Sequence, residues 1–370
     1  MTPRILHVFP SFEVGGAQRR HATLVTKGSG HFIHSVFAMD GNYKALSLIT
    51  SVPTAETQPA FRRRTMVRSA LACRRLLAEM RPHLLVTYNW GSVEWALGNR
   101  FRPLVPHIHI QDGFGPDEAN GELWRRKLVR RLAYGGAARV IVPSETLEHI
   151  ARSHWHIRDA RLRRIDNGVD PGRFAGPADD HLVRRLKLDG DGPVIGTVGA
   201  LRPEKNMGRL IEAVRTVADS IPTVRLVIVG DGIGRSALSM LTERIGLKEN
   251  VIFAGHLDKP EDILPAFDVF ALSSDTEQAP LALIEAMATG LPVAATDVGD
   301  VRTMVHPDNA PHIAGHDAQT LAGNLMTLCS DADRRTALGA ANRRTVHDRF
   351  DETAMIAAYE REFDAVLGGV

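Results

Sequence analysis

Short runs of β-branched and other apolar residues alternate with helix-forming stretches along the whole chain, and the alternation breaks off once and then begins again. This pattern constrains the fold more than any other feature, because strand–helix alternation without hairpin turns specifies parallel α/β units. In the first half, strands are expected at 4–9, 84–86, 104–110 and 139–142, with helices at 19–26, 65–80 and 123–133. In the second half, strands at 194–198, 224–229, 251–253, 269–272 and 292–295 alternate with helices at 207–220, 235–245 and 281–288. Asp351 is placed to cap a last helix running to Val366. The stretch 165–174, rich in Asn, Gly, Asp and Pro, reads as the linker between two domains. A length of 370 residues suits that number. Two doubly wound sheets are expected, in domains 1–175 and 176–348 followed by a terminal segment 349–370, with ligands at the carboxyl ends of the strands.

Composition narrows the setting. Cys73 and Cys329 are far apart, so a disulfide framework is not expected. The apolar stretch 5–10 is too short for a signal-peptide core, and no run is long enough to span a bilayer. A cytoplasmic location is expected. Residues 1–175 carry 26 Lys and Arg against 14 Asp and Glu, whereas the remainder carries 19 against 29. The first domain is therefore drawn to phosphate or anionic surfaces. Its basic residues cluster at Arg62, Arg63, Arg64, Arg68, Arg74 and Arg75. A second cluster is Arg125, Arg126, Lys127, Arg130 and Arg131, beside Leu123, Trp124, Leu128 and Leu132. Such a helix can lie on an anionic membrane at the inner face of the plasma membrane, or it can be a solvated basic face. No nucleic-acid recognition motif accompanies it, so nucleic acid is not an expected partner.

Three constellations are candidates for chemistry, against the plain alternatives of an ordinary amphipathic helix, a solvated basic loop and a tight turn with no ligand. The first is Ser273-Ser274-Asp275-Thr276-Glu277-Gln278-Ala279-Pro280-Leu281, continuing to Glu285. Pro280 suits a first helical position, and the helix start offers N–H groups and a positive dipole end to a phosphate. Glu277 and Glu285 can accept hydrogen bonds from sugar hydroxyls. The second is Gly199-Ala200-Leu201-Arg202-Pro203-Glu204-Lys205, directly after a strand, where Arg202 as a fork and Lys205 as a point charge can meet one diphosphate. The third is Gly15-Gly16-Ala17, between the first strand and the first helix. Two lookalikes are set aside. Gly230-Asp231-Gly232-Ile233-Gly234 has Arg235 where a dinucleotide fingerprint needs its third glycine, and Asp189-Gly190-Asp191 reads as a turn. His154 and His156 lack zinc-type spacing.

At these residues the sequence resembles the retaining glycosyltransferases of family 4, or glycosyl transferases group 1. The resemblance runs nearly end to end, through Gly15-Gly16-Ala17-Gln18, Asn167-Gly168-Val169-Asp170, Val229-Gly230-Asp231-Gly232 and Phe253-Ala254-Gly255-His256. Its most specific part is Glu277 and Glu285 with seven residues between them, followed by Gly290-Leu291-Pro292-Val293. It implies the GT-B fold: two Rossmann-like domains facing a central cleft, with the C-terminal helix crossing back to the N-terminal domain. It also implies retaining transfer of a hexose-type sugar from a nucleotide diphosphate sugar to a glycan or lipid-linked acceptor, as in cell-surface polysaccharide or glycolipid synthesis.

The implied roles are specific. Arg202 and Lys205 neutralise the departing diphosphate, Glu277 bonds the transferred sugar, and Glu285 holds the ribose. Gly255 and His256 border the base, and Gly16 lines the cleft with Gly199, Ala279, Pro280 and Leu281. No metal or other cofactor is expected. The sequence departs from the family pattern at three places: Asp112 stands where a histidine is usual, Gln278-Ala279-Pro280 replaces a glycine-rich segment, and Gly299-Asp300-Val301-Arg302-Thr303 lacks a final glutamate. Asp112 is expected among the catalytic residues with Arg202, Lys205 and Glu277, orienting acceptor or sugar. Its replacement of histidine also keeps a second expectation open, a nucleotide-sugar-binding protein that does not catalyse transfer.

Overall fold

The structure, a computed structural model, describes residues 2–49, 60–118 and 121–368. These form two compact units, one of residues 1–167 with 353–370 and the other of residues 168–352. In the first, strands β1 (Arg4–Phe9), β2 (Ile33–Ala38), β3 (Leu84–Tyr88), β4 (His107–Ile110), β5 (Arg139–Val142) and β6 (Leu162–Arg164) make one sheet in the order β2-β1-β3-β4-β5-β6. In the second, β7 (Val194–Val198), β8 (Arg225–Val229), β9 (Val251–Gly255), β10 (Val269–Leu272), β11 (Val293–Thr296) and β12 (Ile313–Ala314) run in the order β12-β11-β10-β7-β8-β9. Every pairing of neighbouring strands is parallel. Strand order reverses between β1 and β3 in one sheet and between β7 and β10 in the other. Those two switch points are where a doubly wound sheet opens a crevice for ligands.

The differences from the expected elements have local causes. In β2, His34 and Ser35 interrupt the apolar run, yet pairing with β1 buries His34 beside His7. The strands β6 and β12 have three and two residues, too few for any periodicity. The expected strand at 104–110 begins only at His107, because Asn99 Oδ1 takes the Leu104 N–H at 2.7 Å and Pro106 has no N–H to give a ladder. Helices not foreseen include Val93–Arg100, Glu145–Ser153, Ala318–Ser330 and Ala332–Arg349. The last three are capped by Ser144, Asp317 and Asp331, whose side chains accept the Leu147, Thr320 and Arg334 N–H groups.

The unit boundary lies at 167/168, ahead of the 175/176 expected. Val169 and Phe174 are buried in the core of the second unit, so the Pro-Gly stretch belongs there. The terminal helix Glu352–Leu367 returns to the first unit. It buries Met355, Ile356, Tyr359, Phe363 and Val366 in the cluster that holds Ile5, Phe9 and Leu84. Each such side chain contributes about 1.5–3 kcal/mol. Arg139 and Arg163 add hydrogen bonds to Glu362 at 2.6 and 3.0 Å.

The first unit also buries five histidines: His7, His21, His34, His107 and His109. His7 Nε2 meets His34 Nδ1 at 2.9 Å, and the His7 and His21 rings lie 4.3 Å apart. Thr87 Oγ1 joins His107 and His109 at 2.8 and 2.9 Å. Burial lowers all five pKa values, His34 to about 4 and His107 to about 3. Among the described residues, no helix is long and apolar enough to cross a membrane.

Candidate functional site

The second unit builds its site at the switch point, from the loops that leave β7 and β10. After β7 the chain passes Gly199 to a single 3-10 turn, Pro203–Lys205, and enters the helix Met207–Ser220 through Asn206. Asn206 takes the left-handed conformation, with φ 43°, and its side chain accepts the Arg209 N–H. The β10 loop is stitched to this one along its length. Ser273 Oγ donates to the Lys205 carbonyl at 3.1 Å, Asp275 N–H to the Glu204 carbonyl at 2.8 Å, and Arg209 to the Ser273 carbonyl at 2.8 Å. A second bond from Arg209 holds Asp275 at 2.6 Å.

These bonds bring Lys205 and Glu277 together. The ammonium donates to Glu277 Oε1, and Ser274 Oγ donates to the same oxygen at 2.8 Å. Ser274 is itself fixed, since Thr296 Oγ1 donates to its carbonyl at 2.6 Å. Both charged side chains remain partly open, Lys205 at 27% and Glu277 at 11%. Arg202 is exposed on the same loop and has no carboxylate partner among the described residues. A preformed cation–carboxylate pair therefore lies beside an uncompensated guanidinium, an arrangement suited to a ligand with hydroxyl and phosphate groups side by side.

Glycines set the closeness of the loops. Gly230, which follows β8 with φ 137°, lies so near the Gly199 carbonyl oxygen that any Cβ there would overlap it. The Gly-Asp-Gly run set aside as a fingerprint thus underlies the β7 loop, accepting the Leu201 N–H on the Asp231 carbonyl at 3.0 Å. Gly299, with φ 53°, lies against the Glu277 and Gln278 carbonyls in the same manner, and Asp300 N–H donates to the Gln278 carbonyl at 3.0 Å. Gly230→Ala is expected to lower stability by roughly 1–3 kcal/mol and to loosen the Lys205 loop, as read by thermal melting.

The other expected site residues of the unit lie on β9 and the loop after it, and on or just before the helix that follows β10. Helix Leu281–Thr289 starts at the expected residue, with Pro280 as its cap residue rather than its first residue, since ψ 123° is extended. Pro280 offers no side-chain cap to this helix start. Glu285 lies in the second turn, within the field of Arg173, a residue the sequence reading missed. Arg173 is anchored by Glu261 at 2.8 Å. Gly255 has φ 77° and open space where a Cβ would be, and the exposed His256 pairs with Asp258 at 3.3 Å.

In the first unit, Gly16 opens the helix Gly16–Lys27. One turn on, the buried Arg20 pairs with Asp112 Oδ1 at 2.5 Å and donates to Asn167 Oδ1 at 2.9 Å, with the Tyr359 ring 5.4 Å away. Burial works against the Arg20 charge, but Asp112 together with Tyr359 and Tyr88 raises the guanidinium above its ordinary value. Asp112 N–H donates to Asn89 Oδ1 at 2.8 Å, and Asn89 also receives Gln111 at 3.3 Å. Asp112 is thus engaged with a buried cation at the end of β4. Asp112→Asn is expected to cost about 3–5 kcal/mol by stranding Arg20. Adding Arg20→Met should recover part of that loss, a coupling that a double-mutant cycle of unfolding measures.

Comparison with known proteins fits this geometry. Glycosyltransferase Family 4 matches residues 14–173, and Glycosyl transferases group 1 matches residues 179–345. A D-inositol 3-phosphate glycosyltransferase of Xylanimonas cellulosilytica is 33% identical over 295 residues, 72% of this chain and 69% of the relative. The chain belongs to the family 4 (group 1) glycosyltransferases. A GDP-mannose-dependent alpha-(1-6)-phosphatidylinositol monomannoside mannosyltransferase of Mycobacterium tuberculosis is 30% identical over 256 residues, 65% of this glycosyltransferase and 66% of that protein. The crystal structure of HepE from Anabaena in complex with UDP-glucose superposes with a TM-score of 0.81 at 22% identity, covering 98% of this chain and 99% of HepE. That likeness shows the fold of the glycosyltransferase, GT-B.

Proposed function

We propose that this glycosyltransferase moves a hexose-type sugar from a nucleotide diphosphate sugar to a glycan or lipid-linked acceptor, with retention at the anomeric carbon and without a divalent metal. The observation that carries this reading is the Lys205–Glu277–Ser274 group at the β7/β10 switch point, with the exposed Arg202 on the same loop. As the bond from C1 to the donor phosphate breaks, negative charge gathers on the diphosphate and positive charge on the sugar ring. Arg202, Lys205 and the dipole of the helix that starts at Leu281 stabilise the former, which supplies what a metal ion supplies elsewhere. Glu277 accepts a sugar hydroxyl and stabilises the oxocarbenium-like ring. Glu285 accepts the ribose hydroxyls, and the backbone at Gly199, Gly255, His256 and Ala279 borders the nucleotide. The acceptor oxygen joins C1 on the face the phosphate leaves, and its proton passes to the phosphate oxygen. Gly16 is a donor-binding residue close to the phosphates, and Asp112 acts by holding Arg20.

The relatives that act on D-inositol 3-phosphate and on a phosphatidylinositol mannoside support testing inositol-bearing acceptors first. They also support a role in glycolipid or surface-polysaccharide synthesis. UDP-glucose and GDP-mannose both deserve inclusion among donors, given HepE and the mycobacterial enzyme. The test is incubation with labelled UDP-, GDP- and ADP-sugars and those acceptors, with NMR of the product's anomeric proton. Transfer with retention and in the presence of a chelator is expected. Tight donor binding with no transfer to any acceptor or to water would favour the binding-only alternative.

The first unit supports a membrane-facing role at the inner face of the plasma membrane. Helix Trp124–Tyr134 exposes Trp124 at 66% and Leu128 at 56%, together with Leu132, Arg125 and Arg131. Such a face can bury its apolar stripe at a lipid interface while its guanidinium groups meet phosphate.

A further inference from the structure

At the amino-terminal ends of β4 and β5, away from the strand ends that carry Asp112, the first unit contains a cavity of about 480 Å³. Its floor is apolar, formed by Ala96, Val105, Ala133, Ala137 and Val366, and Arg100 and Arg161 line its wall. Each of these guanidinium groups gives one N–H to the end of helix Trp124–Tyr134, Arg100 to the Leu132 carbonyl at 2.9 Å and Arg161 to the Gly135 carbonyl at 3.0 Å. Neither has a carboxylate partner among the described residues, nor does the neighbouring Arg158. Arg161 is lowered from its ordinary value by burial and by the like charges of Arg158, Arg100 and Arg139. Of these, only Arg139 is compensated, by Glu362 at 2.6 Å. Arg100 and Arg161, with no carboxylate partner among the described residues, thus border an apolar floor, an arrangement suited to an anion.

The rim says which anion. Of the twelve large apolar side chains exposed among the described residues, nine lie at 66–71, 101–104 and 123–132. Leu104 lines the cavity, Phe101, 74% exposed, follows the lining residue Arg100 in the chain, and Leu132 ends the stripe that begins at Trp124. A free phosphate has no use for such a rim, whereas an amphiphile covers it. We propose that this cavity takes the head group of an anionic phospholipid, its phosphate between Arg100 and Arg161 and its chains over Phe101, Leu104 and Leu132. The lipid then seats the stripe of helix Trp124–Tyr134 at one fixed point on the bilayer. This inference rests on the membrane-facing reading given above.

The test uses the full chain and a water-soluble short-chain lipid. Dihexanoyl phosphatidylglycerol is expected to raise the melting temperature by about 3 °C at roughly ten times its Kd, with dihexanoyl phosphatidylcholine and glycerol 3-phosphate giving much less. Arg100→Gln with Arg161→Gln should abolish the shift. Arg158→Gln, whose side chain makes no hydrogen bond among the described residues, should weaken it without risk to folding. No shift with phosphatidylglycerol, or an undiminished shift in these variants, would overturn the proposal. An equal shift with glycerol 3-phosphate would overturn the lipid as its source. Flotation with anionic vesicles reads the wider surface separately: Arg125→Gln with Arg131→Gln should weaken flotation and leave the short-chain shift unchanged. Loss of the shift with flotation intact therefore condemns the cavity alone, and absence of flotation in the parent with the shift intact condemns the membrane-facing reading alone.

Discussion

Replacing Glu277 with glutamine is expected to lower kcat by roughly 10²–10³ while leaving the fold in place. The carboxylate accepts from both Lys205 and Ser274 through one oxygen, so its other oxygen is the acceptor left for a sugar hydroxyl. Glutamine keeps the size and one acceptor but removes the charge that matches a developing oxocarbenium ion. The loss should therefore fall on the transition state more than on donor binding, and KM for the donor should move by less than about threefold. Steady-state kinetics with the donor identified by the screen check both numbers. A variant that lost donor affinity and kept kcat would assign Glu277 to ground-state binding.

The second large effect is acid lability of the first unit. His7, His21, His34, His107 and His109 are all held neutral by burial, their folded pKa values lowered from an ordinary 6.5. A lowered histidine pKa means that the unfolded chain binds more protons between the lowered folded value and about 6.5. The stability due to these groups is full above that value and drains away as pH falls towards 4, the folded value of His34. At pH 5 each histidine forfeits about 2 kcal/mol, and five together forfeit on the order of 10 kcal/mol, comparable to the whole stability of a domain. All four tryptophans, Trp90, Trp95, Trp124 and Trp155, lie in this unit, so their fluorescence reports on it. The expected result is a cooperative emission change near pH 5. Native emission persisting to pH 4 would mean that the buried rings are not kept neutral at the expense of stability.

What could be read in the sequence was local in origin. The loops after β7 and β10 announce themselves through Gly199, Pro203 and Pro280, because turn and helix-start chemistry is written in consecutive residues. The Glu277–Glu285 spacing is likewise a property of one segment. The contacts that complete the site are not local. Arg20 and Asp112 are far apart in the chain, and only the placement of β1 beside β3, and β3 beside β4, brings their loops together. Arg173 reaches the field of Glu285 for the same reason, through a linker that packs into the second core. The closeness of Gly230 to the Gly199 loop could not be read in the sequence, because it depends on a neighbouring strand. The short strands β6 and β12 were lost because edge pairing, rather than their own sequence, makes them strands.

The most direct measurement compares kcat/KM of the Arg202→Ala, Lys205→Ala double variant with that of the parent, alongside the melting temperature of each. If these two cations neutralise the diphosphate as it leaves, turnover should fall by at least about 10³-fold with little change in melting. Turnover within threefold of the parent, in a folded double variant, would contradict the account.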